Sequence, residues 1–215
     1  MTEHKTIATH NGSFHADDVF GVGVLMGVFP SHTLVRTRNQ AQIESADFAV
    51  DVGGLWDKAT GRFDHHQRGF AGARPVRVVD GVEVPGVGYA SAGLVWVVYG
   101  DAYVHAVAKR LGVAMDAQAI EETSRSIDAS LVQYLDIVDT GQGDVAPGIF
   151  GLSALVAQLN TNWMEELALS PATKAELQDA RFIEAVGIVR TFLDRAIVKK
   201  IGQLRSMDIV RQSPR

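Results

Sequence analysis

The chain has 215 residues, 47% apolar and 21% charged, which is enough for one sizeable core or for two small lobes sharing a cleft. Its 25 acidic and 20 basic residues give a formal charge of −5 with no long run of either sign; that excludes a global electrostatic footprint for a nucleic-acid duplex and confines phosphate attraction to local patches. Cysteine is absent, so disulfides and thiolate metal sites are excluded and His, Asp and Glu remain as the strong ligand types.

In chain order, KTIATH (5–10) reads as a short strand and HADDVFGVGVLMGVF (15–29) as a helix entered directly after it, with Asp17 and Asp18 at the positive end of its dipole. The glycines of that helix lie within it, not in the strand-to-helix turn before it, so they make no dinucleotide fingerprint. HTLVRTR (32–38) alternates like a strand, and ADFAVDVGG (46–54) reads as a buried strand that stops at a glycine pair. VRVVDGVEV (76–84) places Asp-Gly between two Val-rich runs, the pattern of a small hairpin. From Ser91 onward the pattern is helical: Ser91 to Leu111, about Asp116 to Val138, Gly151 to Leu159, and Pro171 to about Leu204 with Ser170 as N-cap. This order predicts an α/β fold, a mostly parallel sheet flanked by helices, with an α/β part over about 1–112 and a mainly helical part over about 113–215 of one domain. Trp56, Trp96 and Trp163 are expected to be packing residues. The longest apolar run, 19–29, is too short to span a bilayer, and MTEHK carries no signal or transit pattern; a soluble, cytoplasmic protein is expected.

Four of the seven histidines, His10, His15, His65 and His66, fall in two short stretches that also hold Asp17, Asp18 and Asp64. Ligands in open α/β sheets bind outside the carboxyl ends of the strands, and His10 and Asp51 both sit where a predicted strand ends. Two divalent ions about 3.5–4 Å apart need a bridging carboxylate and separate His/Asp sets, and these residue types are available on separate strand ends. Each also has an ordinary role open to it: Asp17 and Asp18 suit a helix N-terminus, and Asp51 suits a turn beside glycines. Arg62, Arg68, Arg74 and Arg77 surround the His pair; guanidinium forks suit phosphate oxygens, and a solvated loop explains them equally well.

The stretches THNGSFHADD (9–18), VDVGG (50–54), RFDHHQRGF (62–70), YASAGLVW (89–96) and YLDIVDTGQ (134–142), in this order over roughly residues 5–200, resemble the Myg family, named for the melanocyte-proliferating gene product. That family is related to the DHH phosphoesterases, so the resemblance implies a DHH-like fold and a metal-dependent hydrolase. It implies that His10 and His15 bind one ion and Asp17 and His65 the other, that Asp51 bridges them, and that Asp139 is the remaining carboxylate on the second ion. Asp136, three residues earlier, is the alternative to Asp139. His66 then faces the substrate phosphate or its leaving oxygen, Asp64 orients a histidine, and Arg62 and Arg68 are candidate phosphate contacts.

Two departures stand out. DHH phosphoesterases usually carry Asp where His15 stands; the extra imidazole moves preference from Mg²⁺ toward Mn²⁺ or Zn²⁺, and two ions, Mn²⁺ first, are the expected cofactor. Family members also continue into a Gly-rich C-terminal region that this sequence does not contain. The resemblance implies 3′-to-5′ exonucleolytic cleavage of single-stranded RNA, with short oligonucleotides or small phosphoesters as other substrates; whether the protein forms a homo-oligomer stays open. Two alternatives remain: a single-zinc amide hydrolase, since HADD also resembles the His-Asp-Asp elements of zinc deacetylases, and a non-catalytic binding or assembly protein that retains the fold.

Overall fold

The computed structural model describes residues 3–142 and 151–212. Five strands form the main sheet: β1 (Lys5–Thr9), β2 (His32–Arg36), β3 (Phe48–Val50), β4 (Trp56–Asp57) and β5 (Arg62–Phe63), in the spatial order β2-β1-β3-β5-β4. β1, β2, β3 and β5 are parallel, and β4 pairs antiparallel with β5 at the edge. The fold is therefore α/β with a mostly parallel sheet, as expected. Parallel neighbours need crossovers, and here helix α1 (Ala16–Val28) connects β1 to β2 while the short α2 (Gln40–Ser45), capped by the Asn39 side chain, precedes β3.

The hairpin expectation is met. β6 (Arg77–Val79) and β7 (Val82–Val84) pair antiparallel around Asp80 and Gly81, whose φ values of 51° and 79° are the two positive values a type I′ turn needs. The predicted strand 46–54 is shorter than expected. It ends at Val50 because Asp51 (φ 54°), Gly53 (98°) and Gly54 (65°) take left-handed backbone and leave the ladder. α2, β4 and β5 carry no periodicity signal at six, two and two residues, and only the folded structure reveals them.

The remaining helices are α3 (Ser91–Arg110), α4 (Ala117–Ile127), α5 (Gln133–Asp139), α6 (Leu152–Ala157), α7 (Trp163–Glu166) and α8 (Pro171–Gln212). Between α4 and α5 lies a π-helical turn, Asp128–Val132, so the single helix expected over 116–138 is continuous but changes register there. Ser170 does cap α8, its Oγ accepting from the Thr173 N–H at 3.2 Å, and α8 runs past the expected end at Leu204.

α1 is buried on all sides through Leu25, lying between the sheet, α3 and α8. Its glycines allow that proximity: a Cβ at Gly21 would stand 2.7 Å from the Val50 side chain, and one at Gly27 would run into the Tyr103 ring. α8 supplies Phe182, Val189, Leu193 and Ile197 to the same core as α1 and α3, a spacing that keeps one face inward over about four turns. Trp96 is buried and Trp56 stacks near Phe63, whereas Trp163 is 71% exposed: the four-residue α7 presents it to solvent, so the packing role expected for it does not hold.

Candidate metal centre

β1, β3 and β5 are consecutive in the sheet and parallel, so their carboxyl ends lie side by side. His10 follows β1, Asp51 follows β3, and Asp64, His65 and His66 follow β5. Three elements far apart in the chain thus deliver their polar residues to one edge, the position where open α/β sheets bind ligands. Asp17 joins them from the first turn of α1, and Asp139 from the last turn of α5.

The ligand atoms fall into compact groups. His10, His15 and Asp51 have donor atoms within 4.8 Å of one another; so do Asp17, His65 and Asp139; and so do Asp51, His65 and His66. The first two groups share no residue. Asp51 faces both: its Oδ2 lies 3.4 Å from His10 Nε2 and its Oδ1 3.7 Å from His65 Nε2. His65 Nε2 lies 3.0 Å from Asp139 Oδ2. Asp136 points the other way; it is fully buried, 2.7 Å from Arg74 Nη1, and accepts from the Gly93 N–H at 3.0 Å. Of the two acids left open by the sequence, Asp139 is the one at the cluster.

The surroundings hold these side chains still. Asp17 accepts from the N–H groups of Ser91 (3.1 Å) and Ala92 (2.6 Å), so the start of α3 turns its positive end to this carboxylate. Ser91 Oγ donates to Asp51 Oδ1 at 3.1 Å. Asp64 accepts from Gly54 N–H (2.6 Å) and His66 N–H (2.9 Å), and its Oδ1 is 2.9 Å from His66 Nδ1. Asp64 thus holds the ring of His66, the histidine left without an assigned ion.

Two residues outside the expected ligand set belong to this site. Asp18 is completely buried and its Oδ2 is 3.1 Å from His10 Nε2. Ser91 sits at a helix start 40 residues from the aspartate it touches. Asp18 had a sequence signal, its place in HADD, although a dipole role explained it equally well; Ser91 lay in YASAGLVW (89–96) with no role assigned to it.

The electrostatics of the cluster suit a bound cation. Burial and the charges of Asp51, Asp139 and Asp136 push the Asp17 carboxyl well above its usual range. Burial opposes protonation of His10, yet Asp18 and Asp51 outweigh it and hold the imidazole up to about 10. His65 is raised likewise against burial, by Asp139, Asp51 and Asp64. Asp51 is lowered because His10, His66 and His65 overcome the effect of burial. Buried carboxylates in this number require positive charge nearby. Two buried atoms, His65 Nε2 and Asp18 Oδ2, also lack a hydrogen bond of acceptable geometry despite their close neighbours. Nitrogen and oxygen donors, orphaned buried atoms and convergent clusters all fit hard or borderline divalent cations.

The centre opens onto a cleft of about 1560 Å³, whose far wall is built from α5, α6 and α8. The arginines expected to reach the substrate are elsewhere. The Arg62 guanidinium donates to the carbonyls of Glu44 (3.2 Å) and Ala46 (2.8 Å), capping the end of α2; Arg68 is exposed, and neither lines the cleft. Arg74 is taken up by Asp128 and Asp136, and Arg77 lies on the hairpin. The arginine that does line the cleft is Arg38, just after β2.

Among the described residues no helix is long and apolar enough to cross a membrane. A family model described as an uncharacterised protein family, UPF0160, and labelled MYG1 exonuclease, matches residues 6–214. The MYG1 protein of Caenorhabditis elegans is 32% identical over 198 residues, 89% of this chain and 54% of its own length. The MYG1 protein of Schizosaccharomyces pombe is 30% identical over 92% of this chain and 59% of its own length. The human MYG1 exonuclease is 31% identical over 73% of this chain and 43% of its own length. The chain spans about half the length of these relatives. No solved structure matches it significantly. With nearly its whole length matched by the family model and its histidine and aspartate stretches gathered at one sheet edge, the chain belongs to the MYG1 family.

Proposed function

We propose that this protein is a metal-dependent phosphodiesterase that removes nucleotides from the 3′ end of single-stranded RNA, using two divalent ions, Mn²⁺ first among them. The observation that carries the reading is Asp51, whose two carboxylate oxygens face two histidine-containing groups from one position. His10 and His15 would hold one ion and Asp17, His65 and Asp139 the other, with Asp51 between them. Divalent ions held by these residues would supply a nucleophilic water at neutral pH and draw charge from the phosphoryl group. The disjoint groups favour two ions over the single zinc of an amide hydrolase. The exonuclease names carried by mammalian relatives support a nuclease-like activity.

The chain's own residues do the rest. Asp64 fixes the His66 ring through Nδ1, which leaves Nε2 as the ring atom available to the cleft, where it meets a phosphate oxygen or gives a proton to the leaving oxygen. The amides of Ser91 and Ala92 keep Asp17 from turning away, and Ser91 Oγ does the same for Asp51.

The test is release of labelled mononucleotide from a short 3′-labelled single-stranded RNA, with Mn²⁺, Mg²⁺ or Zn²⁺ returned after chelation. Asp51→Asn is the control, because Asn tolerates the left-handed backbone at this position. Metal-dependent release that Asp51→Asn abolishes, with its circular dichroism unchanged, is the expected result. No cleavage of any phosphodiester by protein carrying two equivalents of metal overturns the reading in favour of a binding role.

A further inference from the structure

The wall of the cleft opposite the strand ends is apolar where it adjoins a highly charged centre. Helix α5 and the π-helical turn before it present Leu131, Tyr134 and Val138 to the cleft, at a spacing that aligns them along one side. Tyr134 is 42% and Val138 45% exposed. The helix that carries them is fixed from behind: Leu135 is buried in the core, and Asp136 is held by Arg74 and the Gly93 N–H. A rigid aromatic surface is therefore exposed on the same helix that ends in Asp139. Asp139 is five positions beyond Tyr134, about 7.5 Å along the helix axis.

The cations of the cleft differ in availability. Lys174 is 2.6 Å from Glu166, so its charge is already paired. Arg38 is exposed, lines the cleft and has no ion pair or hydrogen bond among the described residues.

We propose that the Tyr134 face of α5 is a nucleobase platform: the base of the nucleotide whose phosphate lies at the carboxylate–histidine centre stacks on Tyr134 against Leu131 and Val138, while Arg38 grips a neighbouring phosphate. This rests on the phosphodiesterase reading and adds to it the surface that receives the base and the arginine that holds the next phosphate. Stacking needs only a π-face, so the platform accepts all four bases with little preference.

The test measures fluorescence anisotropy of a labelled RNA hexamer and of an abasic ribose-phosphate hexamer, in EDTA to prevent turnover, alongside cleavage of both with Mn²⁺. The wild type is expected to bind RNA about 5- to 150-fold more tightly than the abasic oligomer. Tyr134→Ala erases that preference and Tyr134→Phe keeps it; Arg38→Ala weakens both oligomers alike and lowers the salt slope by about one. Equal affinity of the wild type for the two oligomers, failure to bind either, or a preference that survives Tyr134→Ala overturns the platform. Binding with the expected preference but no cleavage of either oligomer supports the platform and sinks the phosphodiesterase reading.

Discussion

Arg74→Met leaves a buried carboxylate without its cation, and its cost should depend on pH in a way that packing alone does not. The Arg74 side chain is 9% exposed, its Nη1 lies 2.7 Å from Asp136 Oδ2, and Asp136 is completely buried; its other neighbour, Asp128, is 23% exposed at the side chain and can rehydrate. Removing one partner of a buried pair costs about 3–5 kcal/mol when the survivor stays charged. Asp136 already sits at about 6 instead of 3.8, because burial outweighs the lowering by Arg74 and the Gly93 N–H. A carboxyl raised by folding binds its proton more tightly in the native state. Its contribution is therefore most favourable below 3.8 and falls as pH rises toward about 6, by roughly 3 kcal/mol over that window. Without Arg74 the native value climbs further and the window extends upward. The variant should thus lose little at pH 4.5, where Asp136 is protonated, and the full amount at pH 8. Urea unfolding of both proteins at the two pH values, in EDTA, measures the difference; adding Asp136→Asn to the variant should restore most of the loss at pH 8. An equal loss at both pH values would show that Arg74 acts by packing and refute the charge argument.

Gly27→Ala should cost about 1–3 kcal/mol in urea unfolding, since the new methyl meets a fully buried Tyr103 whose hydroxyl is held by Asp194 at 2.7 Å; a neutral result would mean that α1 and α3 separate easily. Trp163→Ala should change stability by less than about 0.5 kcal/mol despite the size of the residue removed, and a larger loss would place the indole in a contact. Arg62→Ala should lower stability by about 1 kcal/mol through the lost carbonyl contacts and leave the affinity for an RNA hexamer intact; an affinity loss would return Arg62 to the cleft. Mn²⁺ must displace protons from imidazoles that neighbouring carboxylates hold up, His10 to about 10, so its affinity should rise steadily between pH 6 and 8 with proton release detectable by calorimetry in buffers of different ionisation enthalpy; pH-independent affinity would exclude His10 as a ligand.

What the sequence by itself determined is local. The Asp80–Gly81 hairpin, the span of α3, the Ser170 cap and the absence of thiolate ligands follow from residue types within a few positions of one another. The His/Asp stretches at strand ends also mark where donors gather, since a strand end puts its next residue at the sheet edge. The tertiary structure alone decided how those donors are divided and supported. β5 is two residues long and exists only because it pairs with β3 and β4, so no periodicity could announce the strand that delivers Asp64, His65 and His66. Asp136 and Asp139 are neighbours on a helix, and their separate fates depend on Arg74, 62 residues away from Asp136, and on the start of α3. The partners of the arginines next to the His pair were hidden for the same reason: a guanidinium is satisfied by whatever oxygen the fold brings to it, and for Arg62 that is the end of α2, while Arg38 reaches the cleft from the loop after β2. Chemistry of donor type is written in short stretches of chain, but the choice of partner for a buried charge is settled by contacts across the fold, where desolvation makes each pairing obligatory.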